Sequence, residues 1–161
     1  MNLPKIWGRL APLGLALAAL AFGFDQTIKW YLLTIIHMEE RREIMIAPFF
    51  SLVMAWNRGV SYGLMTTHTQ WLLVGISILI SCVLWVWLCR TLRPLTAAAL
   101  GLVVGGALSN ALDRLTHGAV ADFFLLHWQE WNWYIFNPAD MAIVAGVAFL
   151  LYESFQERKL T

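Results

Sequence analysis

Two aspartates in the second half of the chain have the setting that acid–base catalysis requires. Asp122 interrupts a short apolar, strand-like run (118–124), and Asp140 follows Asn137-Pro138 at the start of an apolar segment. Two neighbouring carboxyl groups can share one proton, so that the ionised group activates water while the protonated group polarises a carbonyl. Such a pair needs no metal. Asp140 also has a structural alternative, because Asn137 suits a helix N-cap, Pro138 the first position and an acid the first turn.

Further polar side chains lie close to apolar stretches, where a charge is costly unless it is paired or hydrated. Asp25 and Lys29 are four residues apart, so they can form an ion pair on one helical face. Alternatively, Lys29 extends its ammonium group to the interface. Asn110, Asp113 and Arg114 share a face by the same spacing rule. They predict either a polar network or a charge pair at a helix end.

The composition indicates which elements must position these residues. Hydrophobic residues make up 60% of the 161 and charged residues 13%, whereas soluble domains carry roughly 45–50% and about 25%. A soluble domain of this size could not hide so much apolar surface. We therefore exclude a soluble globular protein, a disordered chain and a disulfide scaffold, and a net charge of +1 provides no basic field for nucleic acid. The remaining class is an integral membrane protein with one domain, 1–161.

Four segments reach the length of about 20 mostly apolar residues that a bilayer core requires. They cover about residues 10–33, 71–88, 95–112 and 138–155. The first could instead be a cleaved signal peptide with Lys5 and Arg9 as its basic region. Its apolar run is longer than usual for a signal peptide and continues beyond Asp25 and Lys29, which favours a span.

The basic residues of the short connections predict the orientation. They fall on one side of a four-span chain: Lys5, Arg9, Arg90, Arg93, Arg158 and Lys159. Both termini are therefore predicted to be cytoplasmic, and residues 34–69 and 113–137 to lie outside. The first connection contains a strand-like run, Ile44–Trp56, and the second is rich in aromatics that favour the membrane surface. The predicted fold is an all-α membrane protein with four transmembrane helices, a small extracytoplasmic β-rich element and an interfacial loop or helix.

The polar residues fall into five ordered blocks of sequence. The blocks are Asp25–Trp30, Asn57–Gly59, Gly105–Arg114, Gly118–Phe123 and Phe136–Asp140. In order and approximate spacing they resemble the bacterial lipoprotein signal peptidases (signal peptidase II), over about residues 20–145. The resemblance implies an intramembrane aspartyl endopeptidase of the bacterial inner membrane, with its site at the outer face. The implied substrate is a diacylglyceryl-modified prolipoprotein, cut just before the lipid-bearing cysteine.

The resemblance also implies roles for individual residues. Asp122 and Asp140 match the catalytic pair of the family. The positions that match residues lining or organising the family's site are Asp25, Lys29, Asn57, Gly59, Asn110, Arg114 and Asn137. We expect no cofactor and no metal, contact with membrane lipid, and a monomer.

Three positions depart from the usual pattern of the family. Ser109 replaces a glycine, Ser61-Tyr62 replaces a small residue followed by phenylalanine, and Pro138 replaces an aliphatic residue. None of them removes an acid. The departures therefore concern the shape of the pocket and leave the chemistry unchanged.

Other functions remain as alternatives at this level. Intramembrane charges also build ion paths, as in a small transporter or proton-coupled channel, but there the acids are distributed through the depth of the membrane. Ser61 or Ser109 with Lys29 could form a serine–lysine hydrolase, although no Gly-x-Ser-x-Gly elbow is present. A non-catalytic membrane scaffold would need no acid at Asp122.

Overall fold

The computed structural model describes residues 7–59, 67–128 and 131–158. Its helices and strands follow one another as α1 (Ala11–Trp30), β1 (Glu43–Ala47), β2 (Phe50–Asn57), α2 (Thr67–Arg90), α3 (Pro94–His117), β3 (Val120–Trp128), β4 (Trp131–Phe136) and α4 (Pro138–Arg158). Each of the four helices is long and apolar enough to cross a membrane. The four predicted spans are confirmed. Lys5, Ser61, Tyr62 and Lys159, which entered the predictions, lie outside the described residues.

The helices extend beyond the limits predicted from hydropathy. A π-helical turn, Tyr31–Ile35, continues α1, and a short 3₁₀ turn, Met38–Glu40, precedes β1. α3 extends to His117, so Asp113 and Arg114 belong to the helix. Gly118 then adopts a left-handed conformation, with φ of 70°, and its amide donates to the Arg114 carbonyl at 3.1 Å. This cap ends α3 and directs the chain into β3.

α3 is the most buried helix and packs against α1 and α4 through small residues. A Cβ at Gly105 would lie 2.3 Å from the Ala18 carbonyl oxygen, and one at Gly106 would lie 2.5 Å from the Ala139 carbonyl oxygen. The helix backbones therefore touch at these points, which is how small residues support helix packing in membranes. This close contact brings the start of α4 next to the second half of α3.

The four strands form one antiparallel sheet in the order β1-β2-β3-β4. The predicted strands in Ile44–Trp56 are confirmed as a hairpin. In the second connection the strand-like run 118–124 is confirmed from Val120 onward as part of β3, but the prediction of a loop or helix is wrong, because residues 131–136 form β4, which pairs with β3. Their aromatic and β-branched residues favour strands, and pairing with β3 satisfies their backbone. The molecule is thus mostly helical with a four-stranded sheet.

The sheet is fixed to the end of α1 by an apolar cluster. Phe123 and Met38 are fully buried there and pack with Leu32 and Ala121. Successive side chains of a strand point to opposite faces. The burial of Phe123 in this cluster therefore turns its neighbour Asp122 toward the other face of β3.

Candidate active site

Asn137 connects the two aspartates. Its Nδ2 donates to Asp122 Oδ1 at 2.6 Å, and its Oδ1 accepts from the Asp140 amide at 2.9 Å. The Asn137 amide in turn donates to Asp140 Oδ2 at 3.3 Å. These reciprocal bonds form a capping box at the start of α4. The predicted N-cap is confirmed, and the cap itself holds Asp140 close to Asp122.

Asn57 approaches Asp122 from the neighbouring strand. Its Nδ2 donates to Asp122 Oδ2 at 2.9 Å and to the Tyr134 hydroxyl at 2.8 Å, and its Oδ1 accepts from the Gly59 amide at 2.8 Å. Gly59 has φ of 86°, and a Cβ there would lie 2.8 Å from the Leu73 side chain. The tripeptide Asn57–Gly59 is therefore both a turn and a part of the site.

Asn110 supplies the equivalent contact to the second acid. Its Nδ2 donates to Asp140 Oδ1 at 2.9 Å, and its Oδ1 accepts from Lys29 Nζ and from Asn137 Nδ2, each at 3.2 Å. An ammonium group can only donate. Lys29 therefore turns the carbonyl of Asn110 toward itself and the amide group of Asn110 toward Asp140.

The three asparagines share this arrangement. In each, the side-chain oxygen accepts from a group that can only donate. For Asn110 this group is the Lys29 ammonium. For Asn57 it is the backbone amide of Gly59, and for Asn137 it is the backbone amide of Asp140. Each Nδ2 group is consequently turned toward a carboxylate. Both aspartates thus receive N–H donors from side chains whose orientation is fixed.

Lys29 is buried and pairs with two carboxylates. Its Nζ lies 2.7 Å from Asp25 Oδ2 and 2.7 Å from Asp113 Oδ2, and its side chain is 3% exposed. The predicted Asp25–Lys29 ion pair is confirmed, and the alternative of a lysine extended to the interface is wrong. Asp113 Oδ2 also accepts from the Ala121 amide at 3.2 Å. Asp113 therefore ties α3 to the residue that precedes Asp122.

Asp25 connects α1 to the start of α4. Its Oδ1 accepts from the Ala139 amide at 2.9 Å, and its Oδ2 accepts from Ser109 Oγ at 2.7 Å. The Ala139 amide is one of the helix-end donors that lack a partner within the helix. A carboxylate from α1 therefore caps α4 and stabilises its position.

Arg114 is placed beside the site without a hydrogen bond to either acid among the described residues. Its Nη1 donates to the backbone carbonyl oxygen of Asn110 at 3.2 Å. Its buried Nε has no hydrogen-bond partner within the described parts of the chain. A Cβ at Gly59 would lie 3.7 Å from Arg114 Nη2. Arg114 thus faces the Asn57–Gly59 turn, and the structure brings all nine predicted site residues to one region.

Several contacting residues are absent from the predicted set. Gln26 Nε2 donates to Ser109 Oγ at 2.9 Å and to Asp113 Oδ1 at 2.8 Å. Asp113 and Tyr134 contact predicted site residues directly, Asp113 through Lys29 and Tyr134 through Asn57. Gln26 and Asp113 lie in the sequence blocks that carry the site, which is a usable signal. Ser109 is fully buried within the hydrogen-bond network.

The environment of Asp122 changes its proton affinity. Burial raises the pKa of Asp122 to about 6, and the nearby Asp140 carboxylate acts in the same direction. The hydrogen bonds from Asn57 and Asn137 oppose these effects. A carboxyl group with this pKa can hold a proton close to neutral pH, which ordinary aspartates do not.

A cavity of about 600 Å³ gives access to Asp122. Asn57, Gly59, Trp133 and Tyr134 are among the residues that line it. Pockets of this size accommodate small molecules or peptide segments. Among the described residues, no group of three or more His, Cys, Asp and Glu side chains could hold a metal ion.

Comparison with known proteins gives one consistent result. The sequence profile of the family described as Signal peptidase (SPase) II matches residues 17–156. A protein of Methylobacterium sp. (strain 4-46), named lipoprotein signal peptidase, is 50% identical over 145 residues, which cover 88% of each chain. A protein of the same name from Methylocella silvestris is 45% identical over 145 residues, or 88% of this chain and 85% of the relative.

Solved structures share the fold. A bacterial membrane enzyme determined by the in meso method at 2.3 Å resolution aligns with a TM-score of 0.79 and 22% identity, over 98% of this chain and 94% of the other. A second, at 1.9 Å resolution, aligns with a TM-score of 0.77 and 23% identity, over 94% and 97%. At this identity the likeness concerns the fold. Together with the profile and the relatives, it leads to one assignment: the chain belongs to the signal peptidase II family of proteases.

Proposed function

We propose that this protein is an intramembrane aspartyl endopeptidase that removes the signal peptide from diacylglyceryl-modified prolipoproteins. It cuts the bond just before the lipid-bearing cysteine, and it acts as a monomer with a single domain. The observation that carries the proposal is the bridge through Asn137, which contacts both Asp122 and Asp140. Family membership supplies the substrate class, since relatives at up to 50% identity are named lipoprotein signal peptidase.

Asp122 holds the proton that the pair shares, and Asp140 acts as the base. The raised pKa of Asp122 supports the first assignment. For Asp140, the start of α4 favours negative charge, and its carboxylate accepts from Asn110 and from the Asn137 amide. Asp140 thus lies at a helix terminus that favours its charged form, whereas Asp122 lies on a strand.

The reaction then proceeds in two steps. Asp140 removes a proton from water while the hydroxide attacks the carbonyl carbon, and Asp122 donates its proton to the carbonyl oxygen. In the second step the C–N bond breaks, Asp140 donates its proton to the leaving amine, and Asp122 regains a proton from the diol. The products are a signal peptide with a free carboxylate and a protein with a free amino-terminal cysteine.

The proposed orientation places the active site at the outer face of the bacterial inner membrane. Arg90 and Arg93 lie at the α2–α3 turn, and Arg9 and Arg158 lie near the two ends of the chain, so the basic residues support cytoplasmic termini. The acids are at the opposite end of the bundle. A bond beside a lipid anchor is held at this interface, where an enzyme must place its water and its carboxyl groups.

The distribution of charge argues against an ion path. Within the four helices, the described charged residues lie toward one end or the other, and the central turns carry none. An ion path would need ionisable groups through the membrane. Serine–lysine chemistry at Ser109 is also disfavoured, because its hydroxyl donates to Asp25 and the Lys29 ammonium is paired with two carboxylates.

Cleavage of a synthetic lipidated precursor by the purified protein tests the proposal. We expect Asp122→Asn and Asp140→Asn each to abolish cleavage while the helix content stays unchanged by circular dichroism. Glu43→Gln, at an exposed position of β1, is the matched control and should keep full activity. The same peptide without its lipid should be a poor substrate. Activity in either aspartate variant would remove that residue from the catalytic role.

A further inference from the structure

A second cavity, of about 660 Å³, lies between β4 and the first half of α4. It shares Trp133 and Tyr134 with the cavity at Asp122. Asp140 is the one charged residue among the described residues that line it, and its other lining side chains are almost all apolar. We call this second cavity the α4 groove. The two acids therefore border cavities of different character, one of mixed polarity at Asp122 and an apolar one at Asp140.

The α4 groove follows the helix into the membrane region. Val144 and Ala148 line it together with Asp140, at spacings of four and eight residues that keep them on one helical face. Eight residues of helix extend about 12 Å, which is most of the roughly 15 Å of one leaflet in a 30 Å hydrocarbon core. Val144 is 68% exposed, so the groove is open at its side toward lipid.

We propose that the α4 groove binds the acyl chains of the diacylglyceryl group on the substrate cysteine. This inference rests on the proposed function, because the cysteine that carries the lipid directly follows the bond to be cut. Its acyl chains must remain in the hydrocarbon region while the scissile carbonyl reaches Asp122 and Asp140. An apolar channel that begins at one of these acids and descends along α4 meets both requirements.

The wall of the groove suits acyl chains. Its volume of about 660 Å³ lies in the range of small-molecule pockets. Small side chains, Ala145 and Ala148, form part of its wall, and they leave room for thin, flexible chains.

Substitution of a wall residue tests the assignment. Ala148→Trp should fill the groove, and Leu79→Trp is the matched control, since Leu79 is 64% exposed on α2 and does not line the groove. Each protein is assayed with one precursor peptide whose cysteine carries either two palmitoyl or two hexanoyl chains. For each substrate, the kcat/KM of the variant is divided by that of the wild type. This ratio removes the effect of the different partitioning of the two peptides into the membrane.

For Ala148→Trp we expect kcat/KM to fall about tenfold for the dipalmitoyl substrate and less than twofold for the dihexanoyl substrate. Leu79→Trp should change neither value by more than twofold. An equal loss for both substrates, or no loss for either, would overturn the assignment. The chain-length dependence separates lipid binding from a merely structural effect of the tryptophan.

Photocrosslinking provides a readout that does not require cleavage. The Asp122→Asn protein is irradiated with a precursor that carries a diazirine on its acyl chains, and we expect labelling within residues 136–148. A diazirine placed in the apolar helix of the signal peptide should label other segments, and labelling of 136–148 by that probe instead would overturn the assignment. If wild-type protein cleaved neither substrate, the proposed function would fail, and the crosslinks would still decide what occupies the groove.

Discussion

The two ends of the helix bundle are held together by different interactions. At the sheet end, next to β3, the buried charges Asp25, Lys29 and Asp113 connect α1 to α3. At the other end, at the α2–α3 turn, the fully buried Leu88 and Leu100 form an apolar cluster. Buried ion pairs contribute little net stability, because desolvation offsets their attraction. Apolar packing is sufficient to join helices, so we interpret the charges of the sheet end as devices that fix the geometry of the site.

Loss of Lys29 should give the largest effect at the sheet end. Lys29→Met leaves two buried carboxylates without their cation, which costs about 3–5 kcal/mol, and it releases the orientation of Asn110. We expect a large fall in thermal stability in detergent and no cleavage of the lipidated precursor.

A substitution at the other end provides the matching control. Leu100→Ala should cost a similar about 2–5 kcal/mol of stability, but it leaves the hydrogen bonds of the acids intact. At low temperature, where both proteins are folded, only Lys29→Met should be inactive. Equal activity of the two variants would contradict the distinction between the two ends.

Substitution of Asn137 should separate stability from activity within the sheet end. Asn137→Ala removes the N-cap, which costs about 1 kcal/mol, and removes the donor to Asp122, which we expect to lower kcat about 100-fold. Asn137→Ser keeps a hydroxyl oxygen that can accept from the Asp140 amide, but its side chain is too short to donate to Asp122. It should recover the stability, measured by thermal unfolding, without recovering kcat. Recovery of both would show that Asn137 acts only as a helix cap.

The pH dependence of stability should report Asp122 directly. Its folded pKa of about 6 is above the ordinary value of 3.8, so the folded protein binds more protons than the unfolded chain between these values. Stability should therefore fall as pH rises from about 4 to 6, by an amount on the order of 2 kcal/mol. Asp122→Asn should flatten this slope, because it removes the titrating group. Parallel profiles of thermal unfolding for the two proteins would refute the pKa shift.

The smallest effect is expected at the end opposite the sheet. Thr96 donates to Glu153, which joins α3 to α4 away from the acids. Thr96→Val removes this one hydrogen bond and should cost about 1 kcal/mol, measured by thermal unfolding, with kcat and KM unchanged. A change in kcat would indicate that the two ends are coupled, and the comparison would have to be revised.

Local sequence patterns were sufficient to predict the features that depend on neighbouring residues. Hydropathy and length predicted the four helices, and Asn137-Pro138 with Asp140 predicted the start of α4 as the structure has it. The ion pair of Asp25 and Lys29 followed from helical spacing. Each of these features depends on residues within one or two helical turns of each other, so a single sequence contains the information.

Contacts between distant segments could not be predicted in the same way. Asp25 caps the Ala139 amide across 114 positions of sequence, and no periodicity indicates that partner. Asp113, the second carboxylate that pairs with Lys29, lies on another helix, so helical spacing does not indicate this pair either. The aromatic residues of β4 are compatible with both a membrane-surface loop and a strand, and only pairing with β3 decides between them. Sequence therefore indicated which residues form the site, but not how they are connected.

The dual use of Asn137 has a consequence for biosynthesis. One side chain both begins the last helix and contacts Asp122, so the two acids acquire their spacing only when α4 has formed and docked on α3. A nascent chain that still lacks this helix has Asp122 without its partner. Under the mechanism proposed above, proteolytic activity therefore begins only once α4 has been inserted.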